Sequence, residues 1–175
     1  MAKVLLIFTL AAFVLTPTKW VIRSSDVKIS FNLPKENRSG TLNGLEAEIE
    51  FDPLALSESK ITAKVAVNSL VTHNSFMTRH ILSADYFDSE KYPYFTFISS
   101  SIVKTDSGYT AKGALTMKDR TKSVEIPFKF IETDSTGVFK GTMTILCGDF
   151  GILSNKENNP RTQTDITIEV PVFRK

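Results

Sequence analysis

Most of this chain alternates apolar and polar residues with a period of two, which is typical of half-buried β-strands. In the segment 45–51, Leu, Ala, Ile and Phe occupy the odd positions and three glutamates occupy the even ones. Because three glutamates on one side of a strand need water, the opposite side must face the core. Similar patterns predict eight strands, at 20–33, 41–51, 60–70, 94–103, 109–118, 121–131, 139–147 and 163–173.

The first of these strands contains a change of register. Trp20 and Ile22 have one parity, whereas Val27, Ile29 and Phe31 have the other. One inserted residue reverses the facing of every residue after it, so we expect a bulge near residues 24–26.

Between the third and fourth strands the pattern becomes helical. Asn74 can serve as the N-cap of a helix over 75–83, because its side-chain oxygen can accept a bond from a free backbone N–H. Pro93 ends the insert, since proline has no N–H to donate to a β-ladder. Three residues follow the cap at i, i+3 and i+4, and three more form an adjoining apolar stripe: Phe76, Arg79 and His80, then Met77, Ile81 and Leu82.

Eight antiparallel strands joined mostly by short turns predict an all-β fold, an eight-stranded up-and-down barrel that has no open edges. The short helix would form a cap over one mouth, between the third and fourth strands. An eight-stranded interior can hold either packed side chains or one small ligand. Small residues at inward positions favour some free space, although a packed core remains the alternative: Ala47, Ala63, Ala111, Gly113 and Gly141.

Length and charge limit the classes of function. The 175 residues, 42% of them hydrophobic, suffice for one well-cored domain. The net charge is only +2, with acidic and basic residues interspersed. A nucleic-acid surface needs clustered basic residues, so no nucleic-acid partner is expected.

The N-terminus resembles a signal peptide. Lys3 provides a short positive region, and an apolar run of about a dozen residues follows it. This run is too short to span a bilayer, which needs about 20 residues. We therefore expect a signal peptide at 1–17 and one barrel domain at 18–175; a buried first strand or a short anchor is the alternative.

Few residues offer chemistry. Cys147 is the only cysteine, so no intramolecular disulfide can form. A metal site needs three or four ligands, which two histidines and a distant cysteine do not supply. We expect no metal, no cofactor and no catalytic residues. His80 would either fix the cap by hydrogen bonding or touch a ligand head group, and His73 would be a solvated loop residue.

Several motifs resemble those of the YceI-like family of bacterial lipocalin-like proteins. They are the runs NSLVT at 68–72, RHILSADYFD at 79–88, KYP at 91–93 and FTF at 95–97, together with GALTM at 113–117 and GDFGI at 148–152. The chain departs from the family pattern at several positions: Ile81 stands where leucine is usual and Tyr86 where phenylalanine is usual. Asp119-Arg120 replaces glycine-valine, Ser123 replaces proline, and the arginine often found just before the aspartate-phenylalanine-glycine element is absent. The resemblance covers nearly the whole mature chain.

The resemblance implies an exported protein, periplasmic or secreted, that holds a polyisoprenoid or fatty-acyl chain inside a lipocalin-like barrel for transport, storage or sequestration. The alternative is a stable barrel that acts through a protein partner and has no obligatory ligand. A homodimer and a transient membrane contact both stay open. The expected ligand-binding residues are Phe31, Leu45, Ile49, Val65, Val67, Phe76, His80, Leu82, Phe95, Phe97, Leu115, Met117, Phe128, Phe130, Gly141, Met143 and Ile145.

Cleavage of the signal peptide can be tested directly. The mature protein should begin between Pro17 and Lys19, which N-terminal sequencing of protein from the native host would show. Recovery of a chain that still starts at Met1 or Ala2 would refute export by this route.

Overall fold

A computed structural model describes residues 16–35, 37–152 and 162–175. Within them the chain forms eleven strand segments and one α-helix. In chain order the strands are β1 Lys19–Ile22, β2 Lys28–Leu33, β3 Arg38–Leu42, β4 Leu45–Glu50, β5 Lys60–Ala66, β6 Val71–Thr72, β7 Tyr94–Thr105, β8 Gly108–Met117, β9 Arg120–Thr133, β10 Thr136–Leu146 and β11 Gln163–Arg174, and the helix α1, Ser75–Leu82, lies between β6 and β7. The expected signal peptide lies almost entirely outside these ranges.

The segments form a closed antiparallel barrel. The hydrogen-bonded order β1-β4-β5-β7-β8-β9-β10-β11 returns to β1, because β1 and β11 also pair, with Trp20 opposite Arg174. Segments β2, β3 and β6 extend this ring beyond β11. The pairs β1/β2, β3/β4 and β5/β6 are each one barrel strand with an interruption, so the barrel has eight strands in up-and-down order. This confirms the predicted fold and the position of the helix.

Each interruption has a local cause. A 3₁₀ turn at Ser24–Asp26 separates β1 from β2, where the sequence changes parity. Gly44, with φ +69°, makes the break between β3 and β4. This left-handed conformation suits glycine, which has no Cβ. A second 3₁₀ turn, Val67–Ser69, ends β5, so the third strand is regular over a shorter range than the alternation predicts.

Helix α1 begins at its predicted cap. The Asn74 Oδ1 accepts hydrogen bonds from the backbone N–H groups of Phe76 and Met77, at 2.9 and 3.3 Å. The helix is also tied to β6, since the Oγ1 atoms of Thr72 and Thr78 lie 2.9 Å apart. In the part of the chain that is described, no helix is long and apolar enough to cross a membrane.

Aromatic side chains fill one end of the barrel. Phe51, with none of its surface exposed, lies at the centre of this plug. The indole Nε1 of Trp20 donates a hydrogen bond of 2.9 Å to the carbonyl oxygen of Phe51 and so fixes the chain where it leaves β4. Four rings surround Phe51 edge-on, with centroids 5.0–5.5 Å away: Tyr109, Phe128, Phe130 and Phe139.

The outer surface of the barrel carries cross-strand ion pairs. Lys64 Nζ lies 3.0 Å from a carboxylate oxygen of Glu46, and this hydrogen bond raises the pKa of the lysine. Lys112 and Glu125 form a similar pair at 2.7 Å. These groups are exposed, where such pairs contribute little to stability. The barrel therefore depends mainly on its ladders and its interior.

If the aromatic plug stabilises the barrel, truncation of Phe51 should lower the free energy of unfolding. Phe51→Ala would leave a cavity among four rings, so the free energy of unfolding should fall by about 3–5 kcal/mol. Chemical denaturation would measure the loss. Leu54→Ala is the matched control, because Leu54 is 83% exposed and belongs to the same loop. A similar loss in both variants would contradict a stabilising role for the plug.

Candidate functional site: an apolar cavity in the barrel

The half of the barrel beyond the plug is hollow. It contains a cavity of about 370 Å³ that runs from Phe128 and Phe139 of the plug to α1. Its walls come from all eight barrel strands, and most of the side chains are aliphatic or aromatic. The aliphatic wall residues include Ile29, Leu42, Leu45, Ile49, Ile61, Val65, Leu115, Ile126, Ile145, Ile166, Ile168 and Val170.

Small inward residues create this space. Ala47 and Ala63 lie opposite each other on β4 and β5, and both line the cavity with Ala111 and Gly141. At Gly141 a Cβ atom would meet its nearest neighbours at 3.4 Å, an ordinary contact. Gly141 therefore has room for a side chain, and its absence leaves part of the cavity empty.

Gly113 plays a different part from Gly141. A Cβ there would lie 2.3 Å from the carbonyl oxygen of Ile98 and 2.8 Å from the ring of Phe97. The glycine lies next to a bulge in β7, where Ser99 Oγ accepts a hydrogen bond of 2.8 Å from the backbone N–H of Ile61. Gly113 thus allows close packing at the bulge and leaves no space for a ligand.

The cavity opens at the end that carries α1. Met77 and Ile81 face it from the helix, and Tyr86 and Phe87 face it from the segment that follows. The ring of Phe87 packs edge-on against Phe95, with centroids 5.0 Å apart. Exposed polar residues also line this end, which connects the apolar interior to solvent: Asn37, Ser39, His73 and Asn74.

Twelve of the seventeen residues expected to bind a ligand lie on the cavity wall. They are Phe31, Leu45, Ile49, Val65, Phe95, Phe97, Leu115, Met117, Phe128, Gly141, Met143 and Ile145. These residues lie at the inward positions of regular strands, because the pleat alternates side chains between the two faces.

Two expected residues lie in the interior but away from the cavity. Val67 is fully buried in the 3₁₀ turn after β5, where its N–H bonds to the carbonyl oxygen of Pro93. The turn ends the regular alternation of β5, and Val67 is buried in the core there without lining the cavity. Phe130 belongs to the aromatic plug, 4.4 Å from Phe139 between ring centroids. Both residues pack in the hydrophobic core of the barrel, and neither lines the cavity.

The other three belong to the cap and also lie off the wall. Phe76 is 69% exposed. His80 is exposed and packs edge-on against Tyr86, with centroids 4.7 Å apart. Leu82 is half-buried, and its carbonyl oxygen accepts bonds from the N–H and Oγ of Ser89. The helix presents Met77 and Ile81 to the cavity instead of Phe76 and Leu82.

The sequence contained a signal for which residues of the helix face the cavity. Met77 and Ile81 are four residues apart and form a purely apolar row, whereas the row of Phe76 also carries Arg79 and His80. Charged residues mark the solvent side of an amphipathic helix. For Tyr86 and Phe87 no periodicity was available, because they lie in irregular structure after the helix.

The buried polar side chains of the described residues are satisfied within the protein. Cys147 is 8% exposed, and its Sγ lies 3.2 Å from the hydroxyl of Thr164. No buried side-chain nitrogen or oxygen in the described ranges lacks a hydrogen-bond partner. Nor does any group of three potential metal ligands occur among those residues. The interior is thus suited to an apolar chain and provides few anchors for a polar one.

Comparison with known proteins finds relatives that align with most of the chain. The model of the YceI-like domain matches residues 20–172. A UPF0312 protein of Vibrio cholerae is 30% identical over 169 residues, which covers 87% of this chain and 89% of that protein.

Solved structures show the same barrel at lower sequence identity. BcnA of Burkholderia cenocepacia has a TM-score of 0.79 at 21% identity, covering 86% of this chain and 99% of that one. A polyisoprenoid binding domain from Saccharophagus degradans has a TM-score of 0.67 at 8% identity, covering 90% of this chain and 99% of that one. Since the family model spans nearly all of the described barrel, the chain belongs to the YceI-like domain family.

Proposed function

We propose that this protein binds one long-chain apolar lipid inside its barrel. The observation that carries the proposal is the cavity of about 370 Å³, closed by the aromatic plug at one end and open beside α1 at the other. Burial of apolar surface contributes about 25 cal/mol per Å², so a hydrocarbon chain can be held without specific polar contacts.

The shape of the cavity would fix the orientation of a bound lipid. Its apolar tail would lie against Phe128 and Phe139 at the plug, and its polar end would lie at the mouth near Asn37, His73 and Asn74. The Saccharophagus degradans neighbour is described as a polyisoprenoid binding domain. A polyisoprenoid or a fatty-acyl chain suits this cavity because both are long and apolar.

The twelve wall residues identified from the sequence are the proposed contacts for this chain. The protein would act as a binding protein for transport, storage or sequestration, not as an enzyme. Membership of the YceI-like domain family supports this. The apolar N-terminal run supports export to the periplasm or the medium.

Bound lipid should be detectable in protein purified without detergent. Native mass spectrometry should show a mass above that of the chain, and organic solvent should release the excess as an apolar lipid. A long-chain fluorescent fatty acid should also bind to the extracted protein with a one-to-one stoichiometry. A bare chain that takes up neither this probe nor a polyprenol would refute the proposal and favour the alternative of a barrel that acts through a protein partner.

Two glycine variants test whether Gly141 borders a ligand site and whether Gly113 is needed for packing at the bulge. Gly141→Leu should fill free space, so the protein should stay folded and bind the fluorescent fatty acid at least about tenfold more weakly, because the leucine side chain would exclude two or more methylene groups of the ligand, each worth about 0.8 kcal/mol of apolar contact. Gly113→Leu is the matched control and should instead destabilise the fold by about 1–3 kcal/mol or more through overpacking.

Probe titration and thermal unfolding would measure both variants. Unchanged binding by a folded Gly141→Leu variant would contradict a ligand site at this position.

A further inference from the structure

The plugged end of the cavity forms a floor beneath any bound ligand. The rings of Phe128 and Phe139 line this end, with centroids 5.8 Å apart. Phe51 packs behind both rings, with centroids 5.5 and 5.4 Å away, and does not line the cavity. Gly141 pairs with Phe128 in the ladder between β10 and β9 and lies at the same level. We call Phe128, Phe139 and Gly141 the cavity floor.

The volume of the cavity corresponds to a short chain. A cavity of about 150 Å³ lined by aliphatic and aromatic side chains holds one benzene molecule, so each carbon of a ligand needs about 25 Å³. The cavity of about 370 Å³ therefore has room for about fifteen carbons. A chain of about forty carbons would need about 1000 Å³, and a second chain of fifteen carbons would double the volume required.

The depth of the cavity gives a similar size by a separate route. Phe139 at the floor and Ile145, the last inward residue of β10, both line the cavity and lie six residues apart. Strands advance about 3.4 Å per residue and tilt by about 40° in barrels, so these levels lie about 16 Å apart along the axis. One leaflet of a bilayer, half of a hydrocarbon core of about 30 Å, is about 15 Å thick. The cavity is thus about as deep as one acyl chain in a leaflet.

We propose that the cavity floor limits the ligand to a single apolar chain, acyl or prenyl, with about fifteen carbons inside the barrel. This rests on the proposed function, because it specifies the size of the lipid that the barrel holds. Each carbon between the mouth and the floor leaves water and contacts the wall. Further carbons stay outside the mouth and gain no such contact, so they add nothing to the affinity.

A series of straight-chain fatty acids tests this limit on the wild-type protein. Acids of about 8 to about 22 carbons would each compete with the fluorescent fatty acid, since every methylene inside the barrel gains apolar contact. The affinity should rise about fourfold per added methylene, which corresponds to about 0.8 kcal/mol. It should level off at about 14 to 16 carbons, where the cavity is full.

The variant Gly141→Leu should raise the floor. The carbons of the leucine side chain would occupy the end of the cavity, so the affinity should level off about two to four carbons earlier. An acid of about 10 carbons should bind this variant as it binds the wild type, because its end stops short of the floor. Ala114→Leu is the matched control, since Ala114 is exposed on β8 and does not line the cavity; it should leave the length limit unchanged.

The variant Phe139→Leu should lower the floor instead. Leucine has three side-chain carbons fewer than phenylalanine, so the affinity should continue to rise for up to about three more carbons. If this variant does not fold, Gly141→Leu still tests the floor, because it removes no packing from the aromatic plug.

Lipid that co-purifies with the wild type provides a second measurement. Mass spectrometry of the solvent extract should find one chain of about fifteen carbons, and its mass tells an acyl chain from a prenyl chain.

Three results would overturn the length limit. They are an affinity that keeps rising beyond about 18 carbons, an equal weakening of all acids in Gly141→Leu, or a co-purified chain of about forty carbons. Each of them would still show a lipid bound to the protein and would leave the proposed function standing. Failure of the wild type to bind the fluorescent fatty acid or a polyprenol would refute the proposed function instead.

Discussion

The uneven filling of the barrel interior is the constraint on which the rest of this structure depends. Phe51 is enclosed by four rings at one end, and the Trp20 indole bonds to its carbonyl oxygen. Large aromatic side chains use up the interior there, whereas alanines and Gly141 leave the other half open. Because side chains in protein cores are close-packed, an open space of this size beside a dense plug needs a special distribution of residue sizes. The strand sequences supply that distribution.

The same asymmetry sets the direction of the proposed site. Turns between β7 and β8 and between β9 and β10 lie at the plugged end, while α1 and the segment after it lie at the open end. Among the described residues, the mouth of the proposed site therefore lies beside Met77, Ile81, Tyr86 and Phe87. Polar residues at this mouth and apolar residues within match the two parts of an amphiphilic lipid.

Regular alternation made much of the architecture predictable. All eight strands, the register change at Ser24–Asp26 and the Asn74 cap follow from local rules that the structure obeys. Where the backbone leaves those rules, the sequence pattern no longer indicates which residues line the cavity. Val67 lies in a 3₁₀ turn, and Phe76 occupies the charged row of α1, so neither reaches the cavity. Gly113 and Gly141 both occupy inward positions in the sequence pattern, so the pattern does not tell them apart. Their neighbours in the structure do: Gly113 is packed against a bulge, whereas Gly141 lies on the open wall of the cavity.

The central claim is that the hollow half of the barrel holds a lipid chain. Electron density for protein crystallised without removal of lipid tests it most directly. The account predicts a continuous, elongated density that begins near Tyr86 and Phe87, passes Gly141 and ends against Phe128 and Phe139. A cavity that contains only ordered water, or side chains that have collapsed into it, would contradict the claim.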